Sequence, residues 1–202
     1  MIQNRTQTRT QTRPQTRYGY VKNLLILSVS VLLVIALLLH NRPASGGKVE
    51  SPYPLPEFSG QPSDWLNSSA LKKSDLKGKV VLLDFWTFGC WNCYRSFPWL
   101  NDLEKRYQSE DFIVIGIHTP EFEHEKVRAN VESKIAEFKL KHPVMMDNDF
   151  TYWRSLNNRF WPAFYIIDKK GMVRGNFIGE THKGDGNALN IEKMIKMLLA
   201  EN

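Results

Sequence analysis

The chain reads as an α/β protein, a β-sheet with helices on both faces, preceded by one transmembrane helix. Three observations carry that expectation. Short unbroken apolar runs, the mark of strands buried on both faces, alternate with segments whose apolar residues recur at helical spacing. A hairpin signal and a last helix complete the order βα, βα, ββα, which points to one sheet covered by helices. Ahead of them stands a single long apolar stretch, Val21 to Leu39.

Taken in order, the first residues, MIQNRTQTRTQTRPQTR, place an arginine at every fourth position and offer almost nothing apolar to bury. Residues 1–20 are therefore expected to be a disordered basic tail. Residues 21–40 follow as the anchor, since about twenty residues at ~1.5 Å each cross a hydrocarbon core. Arg5, Arg9, Arg13, Arg17 and Lys22 lie at or before its start, and only Arg42 and Lys48 closely follow. That bias puts the tail inside a bacterial plasma membrane and the rest of the chain on the periplasmic side. Cleavage near Ala44-Ser45-Gly46 is the alternative, but the apolar run and its polar lead are both long for a signal peptide. With no cysteine nearby, a lipoprotein anchor is excluded. Residues 41–63 hold Pro43, Pro52, Pro54, Pro56 and Pro62 with Gly46, Gly47 and Gly60. They are expected to form a stiff, extended linker that holds the soluble domain, 64–202, off the membrane.

Within that domain Lys79 to Trp86 (KVVLLDFW) reads as a buried central strand, Ser96 to Tyr107 as a helix, and Asp111 to His118 (DFIVIGIH) as a second buried strand. Thr119 is placed to cap a further helix, with Pro120 at its first position and Glu121 and Glu123 in its first turn. Phe122, Val127, Val131, Ile135 and Phe138 recur along it at helical spacing. A short helix is expected near Phe150 to Phe160. Ala163 to Asp168 and Met172 to Phe177 are two strands joined by Lys169-Lys170-Gly171, and Ile191, Ile195 and Leu198 mark the last helix.

The net charge of +6 belongs to the tail. From Val49 onward there are 20 Lys and Arg against 21 Asp and Glu. No basic patch with interleaved aromatics appears in that part, so the composition gives no reason to expect a nucleic-acid partner.

The stretch DFWTFGCWNCYRSFP holds the only two cysteines, Cys90 and Cys93. Three readings are open: a structural staple, half of a metal site, or a redox couple. A staple closing so short a loop contributes little. A zinc site needs four ligands, and His118, His124, His142 and His182 show no paired spacing. A redox couple needs two sulfurs that meet easily, one of them reactive. Placing Cys90 after a strand and at a helix start serves both, because a helix N-terminus favours an anion by ~0.3–1 kcal/mol. The redox reading leads on these grounds, and no cofactor or metal is expected with it.

The same stretch resembles the thioredoxin pattern: a strand, Cys-x-x-Cys, a helix, and a proline opening the ββα half. Asp84 stands six residues before the first cysteine and Pro98 five after the second, as in thioredoxins. GKVVLLDFWTFGCWNC, IGIHTPEFEHEKV and RFWPAFYIIDKKGMVR resemble the thioredoxin-like domain of the DipZ/TlpA group of membrane-anchored extracytoplasmic thiol-disulfide oxidoreductases. The resemblance spans roughly residues 58 to 180. It departs after Gly179-Glu180, where relatives continue with a Gly-Glu-Gly turn and this chain has THKGDGNALN.

The resemblance implies a thioredoxin-like fold with a central mixed sheet, and it implies roles. Cys90 would be the exposed nucleophile and Cys93 the resolving thiol, with disulfide-containing exported proteins as substrates. Asp84, which interrupts an apolar strand, would be buried with a raised pKa and serve Cys93 as acid or base. Trp91 between the cysteines, and Trp161 with a cis Pro162, would contact the bound substrate. His118 and Glu121 are given capping or packing roles. The chain shows no electron-relay domain, so a separate membrane electron donor is expected. Two other functions stand as alternatives: a thiol peroxidase, from Thr87-x-x-Cys90, and a copper-delivery protein using His182.

Overall fold

Seven consecutive buried residues, Val80–Trp86, form strand β3 at the centre of a seven-stranded sheet. The computed structural model describes residues 47–108 and 111–201. The basic tail of residues 1–20 and the anchor expected at 21–40 lie outside the described residues, among which no helix is long and apolar enough to cross a membrane. The other strands are β1 (Gly47–Pro54), β2 (Trp65–Leu66), β4 (Phe112–His118), β5 (Val144–Met146), β6 (Ala163–Ile167) and β7 (Met172–Ile178). The order across the sheet is β1-β7-β6-β3-β4-β5-β2. β3 runs parallel to β4, with Trp86 opposite His118, and antiparallel to β6, with Asp84 opposite Phe164. The sheet is mixed for that reason: the βα crossover delivers a parallel neighbour and the later strands arrive as an antiparallel hairpin.

Four α-helices follow the expected order: α1 (Trp91–Arg106), α2 (Arg128–Phe138), α3 (Thr151–Ser155) and α4 (Gly186–Ala200). Alternation along β3 sorts the core into two layers. Val80, Leu82 and Trp86 pack with Cys93, Phe97, Leu100 and Leu103 of α1, Val131 and Ile135 of α2, and Ile191, Ile195 and Leu198 of α4. Val81, Leu83 and Phe85 face the other way, onto Tyr152 and Trp153 of α3, Leu156, Leu55 and Trp65. Each such fully buried side chain contributes about 1.5–3 kcal/mol. The three long helices therefore share one face. The loop after Gly179-Glu180 ends in a firm cap, with Asp185 accepting from Ala188 N–H at 2.7 Å and His182 N–H at 2.6 Å.

Two expectations are corrected. Of the Pro-rich stretch 41–63, the described part from Gly47 on is not a free spacer. Gly47–Pro54 pairs antiparallel with β7, and Leu55 is buried, so part of the supposed linker is an edge strand of the domain. Its prolines fit there because an edge strand leaves backbone donors unused. The helix expected from Thr119 instead begins at Arg128, after a 3-10 turn over Glu123–Lys126. Thr119 caps nothing: its hydroxyl donates to Asp147 Oδ2 at 3.3 Å. Phe122 and Val127 stay exposed, because Glu125 turns inward and gathers the local N–H groups.

Candidate active site

The chain leaves the C-terminal end of β3 through Thr87-Phe88-Gly89 and enters α1 at Cys90, the place where α/β sheets put their sites. Cys90 N–H donates to Thr87 O at 3.3 Å and closes this turn. Cys90 is the N-cap of α1, and its sulfur accepts the Cys93 N–H at 3.1 Å, as a serine oxygen would in the same position. The two sulfurs form a disulfide. Cys90 is half-buried and Cys93 fully buried, so an incoming partner meets Cys90 first. The helix runs from Trp91, five residues ahead of the span read from Ser96 to Tyr107, and its N-terminus lies at the sulfurs, as the helix start expected at Cys90 requires.

Asp84 is 1% exposed, and neither carboxylate oxygen has a hydrogen-bond partner among the described residues. By alternation it shares the α1 face of the sheet with Leu82 and Trp86, which pack in the same cluster as Cys93. Burial pushes its pKa up to about 8. A solvent-facing strand-end carboxylate would show none of this.

The Trp161-Pro162 bond is cis, and Pro162 is buried at the entry to β6. Pro162 O accepts Gly179 N–H at 2.9 Å, whereas the Trp161 backbone makes no hydrogen bond among the described residues. The Trp161 ring packs on Trp153, centroids 4.3 Å apart, and touches both core layers. Trp91 is 66% exposed and stacks on Tyr94 at 5.3 Å. Phe122 and Phe160 are also exposed.

Of the residues given packing roles, Glu121 is exposed and His118 is fully buried. Its ring meets Trp86 edge-on at 4.8 Å and stacks on Phe88 at 5.7 Å. Burial drives its pKa down to about 4, against the opposing pull of the nearby Glu125 charge, so the imidazole is neutral. Its Nε2 lies 3.4 Å from Thr87 Oγ1. Glu125 itself escaped the sequence reading. It is fully buried, and its Oε1 accepts Gly89 N–H, immediately before Cys90, at 2.6 Å. Nothing in FEHEK distinguishes it from the charged face of a surface helix.

Comparison with known proteins agrees with this geometry. A thioredoxin-like protein solved in solution in its oxidised form superposes with a TM-score of 0.64, at 27% identity, covering 76% of this chain and 99% of that one. DipZ of Mycobacterium tuberculosis is 38% identical over 164 residues, 80% of this chain but 23% of DipZ. The thiol-disulfide oxidoreductase YkuV of Bacillus subtilis is 28% identical over 148 residues, 73% of this chain and 95% of YkuV. This chain thus spans less than a quarter of DipZ and nearly all of YkuV. The fold is thioredoxin-like, and the resemblance to the DipZ/TlpA group holds across most of the domain. The pattern of the AhpC/TSA family matches residues 53–176, from the end of β1 into β7, and the chain belongs to that family.

Proposed function

We propose that this protein is an extracytoplasmic thiol-disulfide oxidoreductase that reduces disulfides of exported proteins through Cys90 and Cys93, anchored by a single N-terminal membrane helix and recharged by a separate membrane dithiol donor. The observation that carries the reading is the asymmetry of the pair. Cys90 is partly exposed at the helix N-terminus, and Cys93 is buried on the sheet face that holds an unpartnered Asp84.

The exchange runs in two displacements. The Cys90 thiolate attacks one sulfur of the substrate disulfide; a Cys90–substrate bond forms, and the other substrate sulfur leaves as a thiolate and takes a proton. Cys93 then gives its proton to the Asp84 carboxylate and attacks Cys90 Sγ. The Cys90–Cys93 disulfide forms and the second substrate sulfur leaves, taking up the proton Asp84 holds. Two electrons and two protons pass to the substrate. A carboxyl that titrates at about 8 holds and releases a proton near neutral pH, as this step needs. The unpaired backbone of Trp161 is available to an extended substrate segment, and exposed Trp91, next to Cys90 in the chain, offers an apolar contact.

The reductive direction follows from what surrounds Cys90. A DsbA-like couple differs from a thioredoxin-like one by roughly 150 mV, about 7 kcal/mol for two electrons, through stabilisation of its reduced form. Trp91-Asn92 supplies no cation, and Arg95 is engaged with Glu180 at 3.0 Å. That leaves the helix N-terminus, worth at most ~2 kcal/mol. For the peroxidase alternative, Thr87 is committed to Glu125 and His118. For the copper alternative, His182 is engaged with Glu180. The test is equilibration of the chain with glutathione at neutral pH. A potential near about −270 mV is expected, and one near about −120 mV makes the protein an oxidase and overturns the direction.

A further inference from the structure

Glu125 is an unusual group to find behind a reactive cysteine. It lies in the 3-10 turn between β4 and α2, with no exposed surface. Oε1 accepts Gly89 N–H at 2.6 Å; Oε2 accepts Glu121 N–H at 2.6 Å and Phe122 N–H at 3.0 Å. The Thr87 hydroxyl is a further donor. Burial alone would raise the Glu125 pKa, but these hydrogen bonds outweigh it and hold the carboxyl below its ordinary range, so it is ionised. The backbone is shaped to admit it. A Cβ on Gly89 would sit 2.5 Å from Oε1, so a larger residue there would push the carboxylate off the turn before Cys90.

No Lys or Arg among the described residues neutralises this charge. The charged and titratable groups around it are Glu121, exposed and donating its N–H to Glu125; Glu123 and Lys126 of the same 3-10 turn, paired with each other at 2.6 Å; His118 on β4; and His124, which stacks on Phe122 and meets the Phe88 ring at 5.5 Å. His118 is neutral. A carboxylate only accepts, so Thr87 donates to Glu125 and the His118 Nε2 proton points at Thr87. The network thus places a fixed anion on the N–H next to Cys90, on the same turn whose helix dipole favours a thiolate.

We propose that Glu125 is a positioning residue that sets the reducing poise of the Cys90–Cys93 couple. It locks the Thr87–Cys90 turn and, as an anion, opposes the Cys90 thiolate. The dithiol is then less stabilised against the disulfide and gives up its two electrons and two protons more readily. The thiolate population falls, but each thiolate is more nucleophilic, because nucleophilicity rises with thiol basicity. The proposal rests on the thiol-disulfide reading of the pair. It is nonetheless read from a difference between variants, so a wild-type potential near that of an oxidase would sink the reductive direction and leave this inference standing.

The test compares the full chain with Glu125→Gln and Glu125→Asp. Alkylation of the reduced protein as a function of pH reports the Cys90 thiolate, and equilibration with a reference dithiol reports the potential. Removing a unit charge this close changes an ionisation constant by up to about tenfold. Gln is expected to move the alkylation profile to lower pH. It also raises the potential by up to about 30 mV per tenfold, fully above the wild-type Cys90 transition and fading below it. Asp, which keeps the charge, stays close to wild type in both. A folded Gln variant with unchanged profile and potential, or an Asp variant that shifts as far as Gln, overturns the proposal. Should Gln not fold, the wild-type chain decides. The carboxyl carbon resonance of Glu125 is expected to stay in its ionised range and to shift as Cys90 titrates; a resonance indifferent to Cys90 refutes the coupling.

Discussion

Replacing Asp84 by Asn separates two consequences of one buried carboxyl, and the first is thermodynamic. In the folded protein Asp84 titrates at about 8, against 3.8 for an unperturbed aspartate, because burial disfavours its charged form. The folded state therefore holds a proton that the unfolded chain releases. Stability from this group is fully present below about pH 4 and is lost as the pH rises toward 8, at about 1.4 kcal/mol per pH unit. Asn does not titrate. Its buried amide, also without partners, shifts stability by a constant amount, so the diagnostic quantity is the slope. The advantage of the variant is expected to grow by about 2–3 kcal/mol between pH 5 and pH 7 and to level off above pH 8. Urea unfolding of the oxidised protein, followed by tryptophan fluorescence at several pH values, measures it. Parallel stability curves would refute the raised pKa. The second consequence is kinetic: without a proton acceptor, resolution of the mixed disulfide by Cys93 should slow about 10²-fold, the usual contribution of a general base. An unchanged rate would leave Asp84 as a structural carboxyl only.

Two further outcomes are expected. Asp185→Ala removes the acceptor for two N–H groups at the start of α4 and should cost about 1 kcal/mol, seen as a lower urea midpoint at unchanged m-value; an unchanged midpoint would show the cap to be redundant. A reporter that works only outside the cytoplasm, fused after Asn202, should be active while the purified chain retains residues 1–40, whereas a mature N-terminus near Gly46 would refute the anchor.

The residues themselves determined much of this protein. Unbroken apolar runs can be accommodated only between neighbouring strands, so KVVLLDFW and DFIVIGIH announced the centre of the sheet. Cys-x-x-Cys and the upstream Asp84 stand out because each conflicts with its surroundings. These are local signals, set by spacing and by the cost of burying a polar group. Tertiary structure alone decided where the edges fall and what lies behind the cysteines. Gly47–Pro54 became a strand because β7 presented an unpaired edge, which no property of a proline-rich segment foretells. The helical spacing from Phe122 to Phe138 was overridden where Glu125 found Gly89 N–H, a partner 36 residues away. A carboxylate that satisfies distant backbone donors has the same sequence signature as one in solvent. Only the folded chain, by bringing the turn before Cys90 onto it, gives Glu125 its electrostatic place beside the thiol.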